Sequence, residues 1–311
     1  MNPVLLSGAV IFSSLLVLLS VGLTLTYLTT KVPNFAHGTF AAVGGYVTLT
    51  VVNLWKGNPY HYLWLAFLTV GLVALTQYLL VLRPLMNRGA SIVTLMIATL
   101  AIEFILLAGL NIYADYLSKM FKIKSRYFVL RAADIEIAGG RGLLFIAPII
   151  ASIIVLSLYI LLTKTKFGIA MRAAIEDPYL ASAMGINVNM VYSISWFIAG
   201  GLAGISGALL PLHSLCNPDA GAIWIVSTFA SSVIGGLLNL YGAVLGGCII
   251  GFAEVLGTGF IGSWLGSWAI SYRPLIPLIA ISITLLLAPQ GITSIDWRNV
   301  AKRIRRLFSR S

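Results

Sequence analysis

Charge is scarce in this chain. Asp, Glu, Lys and Arg make up only 9% of its 311 residues, against roughly 25% in soluble domains, and that scarcity excludes an ordinary water-soluble globule. With only two cysteines, Cys216 and Cys248, a disulfide framework is not expected. The three histidines, His37, His61 and His213, are far apart and no C-x-x-C occurs, so no metal site is expected. No lysine follows a glycine, which rules out the phosphate-cradling G-x-x-x-x-G-K-[ST] loop. Neither a Ser-His-Asp spacing nor H-E-x-x-H is visible, so no catalytic residue is assigned and the chain reads as a non-enzyme without a cofactor of its own. No Lys or Arg precedes Lys31, so the first apolar run lacks the basic flank of a cleaved signal peptide and is expected to stay as a membrane helix.

Apolar residues fill the space, at 59% of the chain with a mean hydropathy of +0.98. Runs long enough to cross about 30 Å of hydrocarbon fall near 4–27, 36–54, 62–82, 91–113, 143–162, 191–212, 222–238, 242–262 and 274–288. The expected fold is therefore an all-α polytopic transmembrane bundle of eight to ten spans, nine by this count, in a multi-pass plasma-membrane protein. Run 36–54 begins with polar residues, and 222–238 is parted from 242–262 only by Asn239, Leu240 and Tyr241, so each of these is a candidate broken or re-entrant element.

The net charge of +11 does not imply nucleic acid, because the basic residues are spread over short loops and the chain end, where the positive-inside rule accounts for them. With the N-terminus outside, Lys31, Arg83, Arg88, Lys164, Lys166 and Arg172 lie inside, joined by Arg298, Lys302, Arg303, Arg305, Arg306 and Arg310 of the tail. The loop 114–142 runs against this assignment, since it carries Lys119, Lys122, Lys124, Arg126, Arg131 and Arg141 to the outside. The reverse orientation exports Lys164 to Arg172 and the whole tail, which is worse. The chain divides into a transmembrane domain, 1–296, and a basic cytoplasmic tail, 297–311. In the tail, Ile304, Leu307 and Phe308 recur at helical spacing as for an interfacial helix, but a solvated basic end that only sets orientation is the preferred reading.

Most of the remaining polar pattern sits in the loop 164–190. MRAAIEDPYLASAMG combines small residues with Arg172, Glu176 and Asp177, a break at Pro178, and Gly185 where a helix would stop. The reading is one or two short helices on the membrane surface.

This loop, R-A-A-I-E-D-P-Y-L-A-S-A-M-G-I followed by a glycine-rich apolar run, resembles the coupling loop of branched-chain amino acid permeases of the ABC importers. Asn34-Phe35-Ala36-His37-Gly38 and the glycine-rich stretch from Ser232 to Gly257, followed by Pro289-Gln290-Gly291-Ile292, agree in order. The resemblance implies a permease subunit that moves branched-chain or other small apolar amino acids. It also implies the partners: a second homologous permease, two cytosolic ATPases that bind the ATP, and an extracellular binding protein. Coupling residues by the same resemblance are Gly168, Arg172, Ala173, Ala174, Glu176, Asp177, Ala181 and Gly185, with the alanines near the ATPase and the charges at the edge of the contact. Permeases of this architecture for urea, amides or sugars are the near alternative, an ion-coupled secondary transporter or channel using Glu103 and Glu254 is the alternative from a different class, and a membrane-bound enzyme is a distant third.

Candidates for the translocation path are Asn34, His37, Gly38, Glu103 and Glu254. Pro33 removes an N–H and Asn34 or Thr39 could cap the helix beyond it, so the segment reads as an unwound helix start, and such breaks line transport pathways. His37 is open to a packing role as well as a pathway role. Glu103 and Glu254 have no Lys or Arg on their own spans, which leaves three readings: protonated, bonded across helices as braces, or exposed to the path. Glycines four apart, Gly200 and Gly204, Gly242 and Gly246, and Gly247 and Gly251, predict close helix crossings.

Overall fold

The computed structural model describes residues 3–137, 140–288 and 290–294; the basic tail and Pro289 lie outside the described residues. The elements in order are α1 (Pro3–Thr30), α2 (His37–Leu54), α3 (Leu63–Gln77), α4 (Arg83–Asn87), α5 (Ile92–Phe121), α6 (Leu143–Lys164), α7 (Lys166–Glu176), α8 (Pro178–Ala183), α9 (Val188–His213), α10 (Ala220–Gly235), α11 (Leu240–Leu265) and α12 (Leu275–Leu287). One wide turn, Tyr78–Leu82, makes α3 and α4 a continuous rod. A two-residue hairpin, Glu136–Ile137 with Gly140–Arg141, is the one sheet among the described residues.

Each of the nine apolar runs has become a helix, but they are not equivalent. Among the described residues, six helices are long and apolar enough to cross a membrane. Helices α10 and α12, of 16 and 13 residues, reach about 24 and 20 Å at 1.5 Å per residue, short of a 30 Å core. Helix α2 starts inside the protein: His37 Nε2 lies 3.0 Å from the Leu19 carbonyl, eleven residues before α1 ends. That carbonyl is about 16 Å from the helix end, so the doubtful run 36–54 is a helix whose first turn is buried within the bundle, and it is not one of the six long apolar helices.

Helices α1 and α9 form the centre, with most of their residues buried. Small residues set the crossings. A Cβ on Gly22 would sit 2.9 Å from the Ala199 carbonyl, and Cβ atoms on Gly44, Gly204 and Gly207 would collide with the facing backbones of α9, α3 and α2. Gly242 and Gly246 meet α10, and Gly247 and Gly251 meet α1, as the four-residue spacing predicts. Hydroxyls then bond across the crossings to main-chain oxygens, Ser206 to Leu15 at 2.8 Å, Ser20 to Ala243 at 2.9 Å and Thr48 to Ala208 at 2.9 Å. In a chain with few charges, these bonds are the polar cement between helices.

The basic loop that ran against the orientation rule has local employment. Arg126 makes a two-pronged bond to Asp115, with both N–O distances 3.0 Å. Arg131 donates to His213 O at 2.9 Å and Arg141 to Leu212 O at 2.5 Å, so both cations serve the last carbonyls of α9, where a helix end attracts positive charge. Asp134 joins them by accepting from Tyr60 Oη at 2.5 Å and from the Leu143 N–H at the start of α6.

Candidate functional site

Two places concentrate the polar pattern, and they lie near one another at the end of the bundle that carries α7 and α8. The first is that helix pair. Thr165 ends α6 and caps α7, its Oγ1 accepting from Gly168 N at 3.3 Å. Asp177 then ends α7 and caps α8, Oδ1 accepting from Tyr179 N at 2.9 Å and Leu180 N at 3.0 Å, with Pro178 at the first helical position. Gly185 stops α8 at φ +85°, while Ile186 N donates to Ala181 O and Gly185 N to Ser182 O, the paired bonds of a glycine-terminated helix. The boundaries thus fall at the residues the sequence marked.

The faces do not. Ala174 and Ala181 are buried, and Tyr192 Oη on α9 donates to Ala174 O at 3.1 Å. Ala173 is half-buried, and a Cβ on Gly168 would strike the Leu162 carbonyl. These small residues let α7 and α8 lie close against α6 and α9, so the expectation that the alanines line a partner's groove is corrected for Ala174 and Ala181. Arg172 is likewise used internally, its Nη1 donating to Leu162 O at 2.5 Å near the end of α6. Glu176 is exposed. The surface of the pair is made instead by Tyr179, Leu180 and Met184, which are 89%, 61% and 77% exposed. The sequence reading missed them. The available signal was that three large apolar residues flank the loop's small ones without a helical stripe to bury them all.

The second place is the unwound stretch between α1 and α2. Lys31 leaves α1 at φ +56°, with its ammonium held below the usual lysine value by partial burial. Asn34 is fully buried, and its Oδ1 accepts from Ala36 N at 3.2 Å and from Gln77 Nε2 at 3.0 Å. It therefore closes a turn just ahead of α2 rather than capping the helix, and neither Asn34 nor Thr39 supplies a side-chain cap. Thr99 on α5 holds the same stretch, its Oγ1 accepting from Phe35 N at 3.3 Å and lying 3.3 Å from Pro33 O. On the other side the Phe35 ring packs against Phe229 of α10, centroids 5.3 Å apart. The first turns of α2 and α10 meet backbone to backbone, since a Cβ on Gly38 would overlap the Gly221 carbonyl.

His37 is fully buried against Gly22. Several polar atoms here have no hydrogen-bond partner among the described residues: Thr24 Oγ1, Asn34 Nδ2, His37 Nδ1, Gln77 Oε1 and Trp196 Nε1. Buried polar groups are otherwise almost always satisfied. Five of them on the elements that surround one unwound segment mark it as the least self-sufficient part of the interior.

The two membrane glutamates part company. Glu254 is buried, receives Ser227 Oγ at 2.7 Å and pairs with Arg273 Nε at 2.6 Å. The basic partner missing from its own span comes from the segment before α12, which makes Glu254 a cross-helix brace. Glu103 is half-buried and makes no hydrogen bond or ion pair among the described residues. No cluster of metal-ligating side chains is present among the described residues. Cys216 is buried, and that burial pushes its thiol pKa up.

The family model described as branched-chain amino acid transport system / permease component matches residues 5–289. A probable branched-chain amino acid transport permease protein LivH of Methanocaldococcus jannaschii is 45% identical over 310 residues, covering 100% of this chain and 97% of that protein. The high-affinity branched-chain amino acid transport system permease protein LivH of Escherichia coli K12 is 24% identical over 92% of this chain and 93% of its own. The permease protein BraD of Pseudomonas aeruginosa, of the same description, is 22% identical over 88% and 90%.

Proposed function

The chain belongs to the branched-chain amino acid permease family, and from that premise we propose that it is the membrane-spanning subunit of an ATP-driven importer of branched-chain or other small apolar amino acids. It works with a second permease of the same fold, two cytosolic ATPases and an extracellular binding protein. The chain itself supplies the passage and no hydrolysis. In this arrangement the end that bears α7 and α8 faces the cytosol, and the 114–142 loop faces the binding protein.

The observation that carries the coupling role is the exposed apolar tip of a helix pair otherwise closed on itself. Tyr179, Leu180 and Met184 stand out from a pair whose caps bond within the chain and whose Gly168, Ala174 and Ala181 are buried. An amphipathic helix presents such anchors to a partner's groove. The seat is an ATPase subunit, and the buried alanines and Gly168 fix the pair to α6 and α9 so that motion of the tip reaches the membrane helices. Ion-coupled transport through Glu254 is disfavoured, because that carboxylate is already neutralised by Arg273.

The test is a charge placed on the tip. Leu180→Asp and Tyr179→Asp should leave insertion and folded yield unchanged while abolishing co-purification of the ATPase and uptake. Full ATPase recovery and full uptake with either variant would remove the coupling role.

A further inference from the structure

A hollow of about 300 Å³ lies between α2, α3 and α5, in the half of the bundle that carries the 114–142 loop. Val43, Val47 and Val51 of α2, Leu65 of α3 and Leu110 of α5 form its walls, and Trp55, just past the end of α2, stands at its mouth. From Val43 to Trp55 the chain climbs about 18 Å at 1.5 Å per residue, close to half of the roughly 30 Å hydrocarbon core. The hollow therefore has the depth of one leaflet. Leu68 on α3 and Ile112 on α5, which flank the lining residues, are exposed, so the open side faces the bilayer. Four hydroxyls line the hollow, and each is used within the chain. Tyr46 donates to Ser125 O at 2.7 Å, Thr50 to Tyr46 O at 2.8 Å and Thr69 to Leu65 O at 2.8 Å, which leaves Tyr113 to donate to Thr50 Oγ1 at 2.7 Å. Among the described residues no charged side chain lines it. A zwitterionic amino acid finds no counter-charge there, an apolar hollow stays dry, and an empty one forfeits van der Waals contact along its walls. A methylene chain entering from the bilayer meets all three conditions.

Charge stands at the mouth instead. Helices α2 and α5 run side by side in the same direction, tied by Phe35 N to Thr99 Oγ1 at one level and by Thr50 to Tyr113 at another. Lys56 and Lys119 each follow that second level by six residues, on the loop side, and both are exposed. Neither makes an ion pair among the described residues, where the three pairs all use arginine. Trp55, its ring 5.8 Å from that of Tyr62, and Trp64 are exposed at the same end, as aromatic side chains are at the headgroup level. Two cations and an aromatic rim above an apolar slot one leaflet deep match an amphiphile with an anionic head and a long methylene tail. We propose that the slot between α2, α3 and α5 holds one acyl chain of an anionic phospholipid, with the headgroup phosphate at Lys56 and Lys119.

The experiment uses the full chain with its partner subunits in phosphatidylcholine vesicles that contain a minor share of phosphatidylglycerol. After extraction in mild detergent, native mass spectrometry counts the lipids that stay bound. Phosphatidylglycerol should be retained at least tenfold above its share of the vesicle. Val47→Trp, which fills the slot, should lose that lipid while the assembly stays whole. Lys56→Gln combined with Lys119→Gln should keep a bound lipid but lose the preference for phosphatidylglycerol. No preference in the unmodified assembly, full retention in Val47→Trp, or an unchanged preference in the lysine variant each overturns the proposal. Should Val47→Trp fail to assemble, a phosphatidylglycerol with a diazirine midway along one chain decides on the unmodified assembly, where cross-links should concentrate at 43–55, 65–69 and 110–113. An even spread over the bilayer-facing helices overturns the proposal, and so does the absence of cross-links at these residues because the second permease covers them.

Discussion

Arg273 reaches from the segment before α12 to Glu254 on α11, Nε 2.6 Å from Oε1, while its guanidinium lies 4.3 Å from the centre of the Phe12 ring on α1. One side chain thus ties three elements together, by charge to α11 and through the aromatic face to α1. Removing one partner leaves the other stranded. Arg273→Ala is expected to destabilise by about 1–3 kcal/mol, toward the lower figure because Arg273 keeps a third of its side chain exposed. Glu254→Gln should cost less, since the amide still accepts from Ser227. Thermal unfolding in detergent measures both, and uptake per folded molecule should be unchanged in each.

Ala174→Trp is expected to fail within the chain rather than at a partner surface. Ala174 is buried beside Tyr192, and overfilling such a site costs about 1–3 kcal/mol or more. Folded yield should drop before coupling can be assayed. By contrast Gly185→Val strains only the turn, because φ is +85° and a Cβ there would meet nothing within 4 Å. Gly185→Asn, which tolerates that conformation better, should retain most of the yield.

Two glycines in helices should answer oppositely to alanine. Gly38→Ala collides with the Gly221 carbonyl and should separate the first turns of α2 and α10, seen as a large loss of folded protein. Gly109 in α5 has nothing within 4 Å of a built Cβ, so Gly109→Ala should be neutral or stabilising by about 0.5–1 kcal/mol from helix propensity.

Sidedness can be read with single cysteines in a background lacking Cys216 and Cys248. Ser182→Cys and Lys124→Cys are both exposed and lie at opposite ends of the bundle. A membrane-impermeant maleimide applied to intact cells should label position 124 and not 182, and the reverse pattern inverts the orientation.

Much of this was legible in the residues. Apolar runs located every long helix because the bilayer demands uninterrupted apolar length, and Asp177, Pro178 and Gly185 marked the α7 and α8 boundaries because capping is a local interaction. Pro33 signalled the unwound start of α2 for the same reason. Partnership was not legible. Arg273 and Glu254 are 19 residues apart and meet through a turn whose path no local rule fixes. Ala174 and Ala181 illustrate a different limit: small residues serve close packing within a chain and between chains equally well, so composition alone could not say which neighbour they face. The three outward residues, Tyr179, Leu180 and Met184, became visible only after the packed side of the pair was known.

Between Lys164 and Val188 the chain turns twice with single-residue joints, Thr165 and Asp177, and once through the four residues 184–187. Both joints are extended residues whose side chains clamp the following turn. The two single-residue joints leave almost no slack between α6 and α8. Under the coupling role proposed above, a displacement applied at Tyr179 would pass through these two joints to α6, so their stiffness would set how faithfully a small movement outside the membrane is delivered into it.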